Sequence, residues 1–171
     1  MGLILPGISW RRGFLSLIVL VVGSLIIAGA SGRVVRVVDG DTVSVKALDG
    51  EMTCRLYGID APEIARGNRP GQPYGKEAAR ALSDMLLGKN VEITMTGERT
   101  YGREVCRLKV GATDINLEMV RKGLAWAYRE YLDTPYASAY IEAESEARAH
   151  RRGLWKDPNP IPPWEFRALH R

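Results

Sequence analysis

The sequence predicts an α+β fold, a five-stranded β-barrel of the OB type with about three helices packed on it. Three observations lead there. Residues 33–59 hold three alternating apolar–polar runs joined by tight turns, the pattern of a strand meander. A stretch with helical periodicity follows them directly. Two further alternating runs and then more helical segments complete an order that fits a small barrel of this kind.

The first strand is Arg33–Val38, a valine-rich run with Arg33 and Arg36 interspersed. Asp39-Gly40-Asp41 turns the chain, with Gly free to take positive φ. Thr42–Ala47 is the second strand, Asp49-Gly50 a hairpin turn and Met52–Ile59 the third strand. Pro62 cannot continue a central strand. Ala61–Pro73, rich in Gly, Pro, Asn and Arg, has no period and reads as a long loop. Tyr74–Leu87 is helical, with Ala78, Leu82, Met85 and Leu86 on one face and Gly88 closing it. Val91–Thr96 is the fourth strand, Gly97–Gly102 a loop and Glu104–Val110 the fifth strand. Ile115–Lys122 is a short helix stopped by Gly123. Thr134–His150 is a longer one, with Tyr136, Tyr140, Ala143 and Ala147 as its buried stripe. From about Lys156 the prolines forbid regular structure as far as Trp164, and Trp155, Trp164 and Phe166 are expected to pin this tail to the domain.

Residues 1–30 stand apart from this domain. Arg11 and Arg12 precede an apolar run from Phe14 to Ala28, and Ala28-Gly29-Ala30 resembles a small-residue cleavage site. That is the layout of a signal peptide, which places residues 31–171 in the periplasm or outside the cell. The alternative is an uncleaved membrane anchor that leaves the domain outside the cytoplasm. Two of the 24 basic residues lie in this segment and all 20 acidic ones lie after it, so residues 31–171 carry a net +2. So small a charge does not mark a nucleic-acid binder; any such role must rest on placed arginines.

Cys54 and Cys106 are the two cysteines, and no Cys or His spacing suits a zinc-type site. Reduced, they are core thiols; in an exported chain they could pair. If Arg55 and Arg103 face one site, strand parity turns both cysteines to the opposite, inner face.

The chemistry concentrates in Arg55-Leu-Tyr-Gly-Ile-Asp-Ala-Pro-Glu63. Asp60 follows the third strand, and Asp41 lies on the neighbouring strand end. Two carboxylates with backbone carbonyls suit a hard cation such as Ca2+. Arg55 and Arg103 offer guanidinium forks to phosphate oxygens. Glu63 is a carboxylate placed to take a proton from water. Each residue alone has a plainer reading, as a turn former or a solvated side chain. Strict alternation sets Arg55 and Asp60 on opposite faces, so one shared site requires a strand distortion near Gly58.

Taken together, Val-Val-Asp-Gly-Asp-Thr-Val at 37–43, the Arg55–Glu63 stretch, Tyr101-Gly-Arg103, Gly123–Tyr128 and Ala147–Trp155 resemble the staphylococcal (micrococcal) nuclease family over about residues 33–156. The resemblance implies a Ca2+-dependent endonuclease that cuts DNA and RNA at the P–O5′ bond and leaves 3′-phosphates. It implies Asp41, Asp60 and the Ala61 carbonyl as metal ligands, Glu63 as general base, and Arg55 and Arg103 as phosphate-binding catalytic residues. Tyr101 and Tyr128 would contact the nucleotide. The implied state is a monomer with nucleic acid as its partner. A barrel of this family that has lost catalysis and only binds nucleic acid is the alternative, and it should lack one of the five charged residues. Asp41, Arg55, Asp60, Glu63 and Arg103 are all present. Three departures from the family's best-known member are Ala61 in place of Thr, Arg99-Thr100 in place of an Asp-Lys pair, and the loop Ile64–Pro73.

Overall fold

A computed structural model describes residues 30–170. Residues 1–29 of the segment expected to be a leader or anchor lie outside the described residues, and Ala30 begins the first strand. Among those described, no helix is long and apolar enough to cross a membrane.

Strands β1 (Ala30–Val37), β2 (Thr42–Ala47) and β3 (Gly50–Leu56) form the expected antiparallel meander. Helix α1 (Gly75–Leu86) follows, then β5 (Asn90–Thr100) and β6 (Arg103–Val110), with β5 paired to β1. The barrel closes where β3 and β6 run parallel, Arg55 opposite Val105 and Leu56 opposite Cys106. The five-stranded α+β barrel is therefore as predicted. Among the described residues it carries four α-helices where about three were expected: α2 (Ile115–Arg121), α3 (Ala137–Ala149) and α4 (Pro163–Leu169) accompany α1.

Val34, Val43, Val45, Leu56, Ile93 and Leu108 fill the barrel, fully buried. Helix α1 adds Ala78, Leu82 and Leu86 to that core, the stripe expected from its period, and α3 adds Tyr140 and Ala143. Tyr136 departs from the expected α3 stripe. It lies just before the helix, is 36% exposed, and stacks under the Arg107 guanidinium instead.

Cys54 and Cys106 are buried and joined by a disulfide, with Cα atoms 5.7 Å apart. The bridge sits on the parallel β3–β6 seam, on the inner face that parity assigned to both cysteines.

The third strand is not one continuous element to Ile59. It stops at Leu56 and resumes as β4 (Ile59–Asp60) in a second, two-stranded sheet with β7 (Trp126–Ala127). Gly58 between them has φ of +70°, a left-handed conformation where any side chain would also overlap Leu132. Buried Asn116 holds the break open: its Nδ2 donates to the carbonyls of Tyr57 and Cys106, and its Oδ1 accepts from Leu108 N. The Cys106 carbonyl keeps the Tyr57 N–H, but Asn116→Leu takes the Asn116 amide away from the Tyr57 carbonyl and from Leu108 N, and we expect a loss of about 2–4 kcal/mol, read as a lower denaturation midpoint.

Two loops were expected where the structure has order. Strand β5 runs on to Thr100, and Tyr101-Gly102, both at positive φ, make a two-residue hairpin into β6. The proline-rich tail is irregular from Asp157 to Pro162, but Pro163 then starts α4, where its missing N–H does no harm. Trp164 does pin the tail, stacked on Tyr128 at 5.1 Å and edge-on to Trp126 at 5.5 Å.

Candidate active site

The carboxylates and arginines converge at the end of the barrel where β2, β3 and β6 meet the broken strand. Asp41 leads into β2. Its Oδ2 accepts from Ala61 N at 2.8 Å and its Oδ1 from the Thr42 hydroxyl at 3.0 Å. Arg55 sits opposite Thr42 in the β2–β3 ladder. Its Nη1 lies 2.7 Å from Asp41 Oδ2, an ion contact without hydrogen-bond alignment, and its Nη2 donates to Asp60 Oδ1 at 2.8 Å. The break at Gly58 is what allows Asp60, five residues on, to reach the same face as Arg55. The expected distortion is there.

This trio is nearly dry, with side chains 13%, 9% and 1% exposed for Arg55, Asp41 and Asp60. Burial works against the Arg55 cation, but Asp41 and Asp60 outweigh it and raise its pKa. Burial pushes the Asp60 carboxyl above the usual carboxylate range. Hydrogen bonding from Arg167 pulls it down, and the neighbouring Asp41 charge pushes it up again. Asp39 is pushed up to about 6, by burial first and then by Asp41.

Glu63 is positioned by its backbone. Its N–H donates to Gln72 Oε1 at 3.0 Å and its carbonyl accepts from Gln72 N at 2.8 Å. The start of α1 presses on the same carbonyl, where a Cβ at Gly75 would overlap it. The loop 64–73 is thus tied to the site. Arg66 within it bonds Asp39 Oδ2 at 2.7 Å and the Val38 carbonyl at 3.0 Å.

Arg103 opens β6 and reaches the group through Thr42, with Nη1 3.4 Å from its Oγ1. Tyr101 is at the hairpin tip, 95% exposed, on the rim of the same cleft. Tyr128 forms the opposite wall, half-buried against Trp164, with burial and the Asp60 charge raising its hydroxyl pKa. All eight predicted site residues line or adjoin one cleft of about 1080 Å3, which also displays Arg66, Arg69 and Arg99.

One central residue carried no signal in the sequence reading. Arg167, on α4, grips both Asp60 oxygens, Nη2 to Oδ2 at 2.8 Å and Nη1 to Oδ1 at 3.1 Å, and its Nη1 also donates to Glu63 Oε1 at 2.8 Å. Burial opposes this cation, but Asp60 and Glu63 raise its pKa. Thr42, Gln72 and Trp164 were likewise not singled out for the site. A helical i, i+3 pair, Trp164 and Arg167, was the one local cue available.

Among the described residues no group of three or more His, Cys, Asp or Glu side chains is arranged to hold a metal. Two of the carboxylates nevertheless suit a hard cation: Asp41 and Asp60 converge on one guanidinium, offer only oxygen, and are close enough for one charge to raise the other's pKa.

Arginine forks alternating with buried carboxylates in one cleft define a class, an enzyme that handles phosphate esters on an OB-type barrel. The model of the staphylococcal nuclease homologue family matches residues 53–157. A micrococcal nuclease from Shigella flexneri is 37% identical, over 94% of this chain and 93% of its own length. An uncharacterized endonuclease from Escherichia coli O157:H7 is also 37% identical, over 82% of this chain and 86% of its own. The protein ParB from Escherichia coli is 34% identical, over 91% and 89%. The chain belongs to the staphylococcal nuclease family and is a nuclease, a hydrolase of phosphodiester bonds.

Proposed function

We propose that the protein is an exported, monomeric, Ca2+-dependent endonuclease that hydrolyses DNA and RNA and leaves 3′-phosphates. The observation that carries this reading is the convergence of Asp41, Arg55, Asp60, Glu63 and Arg103, from three separate segments, on one cleft.

Asp41, Asp60 and the Ala61 carbonyl would hold Ca2+, which would supply positive charge to the scissile phosphate. Glu63 takes a proton from the attacking water as its oxygen bonds to phosphorus. The P–O5′ bond breaks, the 5′-oxygen takes a proton from solvent water, and the phosphate stays on the 3′ side. Arg55 and Arg103 offer N–H donors to the phosphate oxygens as charge grows on them, and Arg103 assists the departing 5′-oxygen; a preorganised donor of this kind is worth about 10²–10³ in rate. Tyr101 and Tyr128 flank the cleft where the nucleotide would lie. The arginines on its rim supply the placed charge that a net +2 does not.

The buried Cys54–Cys106 bridge supports an oxidising compartment, consistent with Ala28-Gly29-Ala30 as a cleavage site. Purified protein is expected to degrade single-stranded DNA with Ca2+ and to stop on addition of a chelator, with 3′-phosphate termini found by end-group labelling. Cleavage that needs no divalent cation would sink the calcium reading. Binding without cleavage under every divalent cation would leave a nucleic-acid-binding module in its place.

A further inference from the structure

Arg167 does something that phosphate chemistry alone does not require: it fills the carboxylates. Both Asp60 oxygens face its fork, and Asp60 Oδ1 also accepts from Arg55. Glu63, the carboxylate with a proton to take, is held by the same guanidinium. A cation bound across Asp41 and Asp60 needs the space in front of Asp60 that the fork covers.

The helix that carries Arg167 is lightly held. It has seven residues, no side-chain N-cap and a single buried residue, Pro163. A segment with prolines at 158, 160 and 162 leads into it. Its attachments among the described residues are Gln72 Nε2 to the Ile161 carbonyl at 3.0 Å, Trp164 on Tyr128 and edge-on to Trp126, and Arg167 on its carboxylates. Trp164 and Arg167 lie one turn apart on one face, so letting go of the site and uncovering the Tyr128 ring are one movement. The Arg167 side chain is 39% exposed, so water can take over its hydrogen bonds when it leaves.

We propose that α4 is a C-terminal latch: Arg167 is a tethered cation that occupies Asp60 and Glu63 until a divalent cation displaces it, freeing Glu63 and opening the Tyr128 face of the cleft. The proposal rests on the reading of Asp41 and Asp60 as the cation site.

Calorimetric titration of CaCl2 into the full-length protein tests it, with Arg167→Gln and Trp164→Ala compared with wild type and folding checked by far-UV circular dichroism. Arg167→Gln is expected to bind Ca2+ about tenfold more tightly. Trp164→Ala changes no charge near the carboxylates but loosens the latch, and is expected to bind about threefold more tightly. In wild type, Ca2+ should speed hydrogen exchange of the α4 amides. If Arg167→Gln tightens binding while Trp164→Ala and α4 exchange stay at their wild-type values, Arg167 is a fixed charge and the latch is wrong. Arg167→Gln binding no more tightly than wild type overturns it equally. If none of the three proteins binds Ca2+, the cation site itself is wrong and the latch falls with it, an outcome distinct from the other two.

Discussion

Glu63→Gln lowers kcat for single-stranded DNA cleavage by about 10²–10⁴, with KM little changed. The backbone of residue 63 is fixed from both sides by Gln72, so its side chain has no part in holding the loop. Gln keeps the shape and hydrogen-bonding reach and removes only the capacity to take a proton. The lost partner is Arg167, in a pair 39% and 31% exposed, and pairs so exposed contribute about 0–1 kcal/mol. The variant should therefore melt close to wild type. Steady-state kinetics beside a thermal scan separates the two effects. A fall in kcat below about tenfold would mean that another group, or bulk water, accepts the proton.

Removing the disulfide has the largest expected effect on stability. Cys54 and Cys106 are 52 residues apart in sequence, and closing a loop of that length restrains the unfolded chain by about 4 kcal/mol in the chain-entropy model. Cys54→Ala with Cys106→Ala should lower Tm by roughly 10–15 °C. The bridge lies on the parallel seam that closes the barrel, and Arg55 adjoins Cys54 in sequence. Activity measured well below the new Tm reports whether the seam still presents Arg55 correctly. A double variant within about 1 kcal/mol of wild type would mean that the thiols are not paired in the working protein.

The parts of the site that could be read from the sequence were local. Arg55 to Glu63 spans nine residues, and chain order with strand parity placed Asp41 and Arg103 beside it. The same parity put both cysteines on the inner face; only the parallel approach of β3 to β6, which has no local signature, decided that they meet. Arg167 was out of reach for the same reason. It meets Glu63 across 104 residues, from a seven-residue helix behind three prolines. Proline removes donors, which argues for an irregular tail, yet a proline at the first helical position removes only a donor that has no partner there. Gly97–Gly102 reads as a loop because Gly97 follows directly on the alternating run Val91–Thr96. The chain absorbs it in a register shift between Met95 and Arg99 and continues to Thr100.

The break at Tyr57–Gly58 has a further consequence. A β-strand is a wave with a period of two residues, and an odd spacing places two side chains out of phase. The interruption resets that phase, so two groups five positions apart come to point the same way. An arginine and its carboxylate can thus be written into one short run of sequence without a second distant segment to supply the partner. The same device makes chain length a critical variable there, beside the glycine at 58: one residue more or less between Leu56 and Ile59 would return Arg55 and Asp60 to opposite phases.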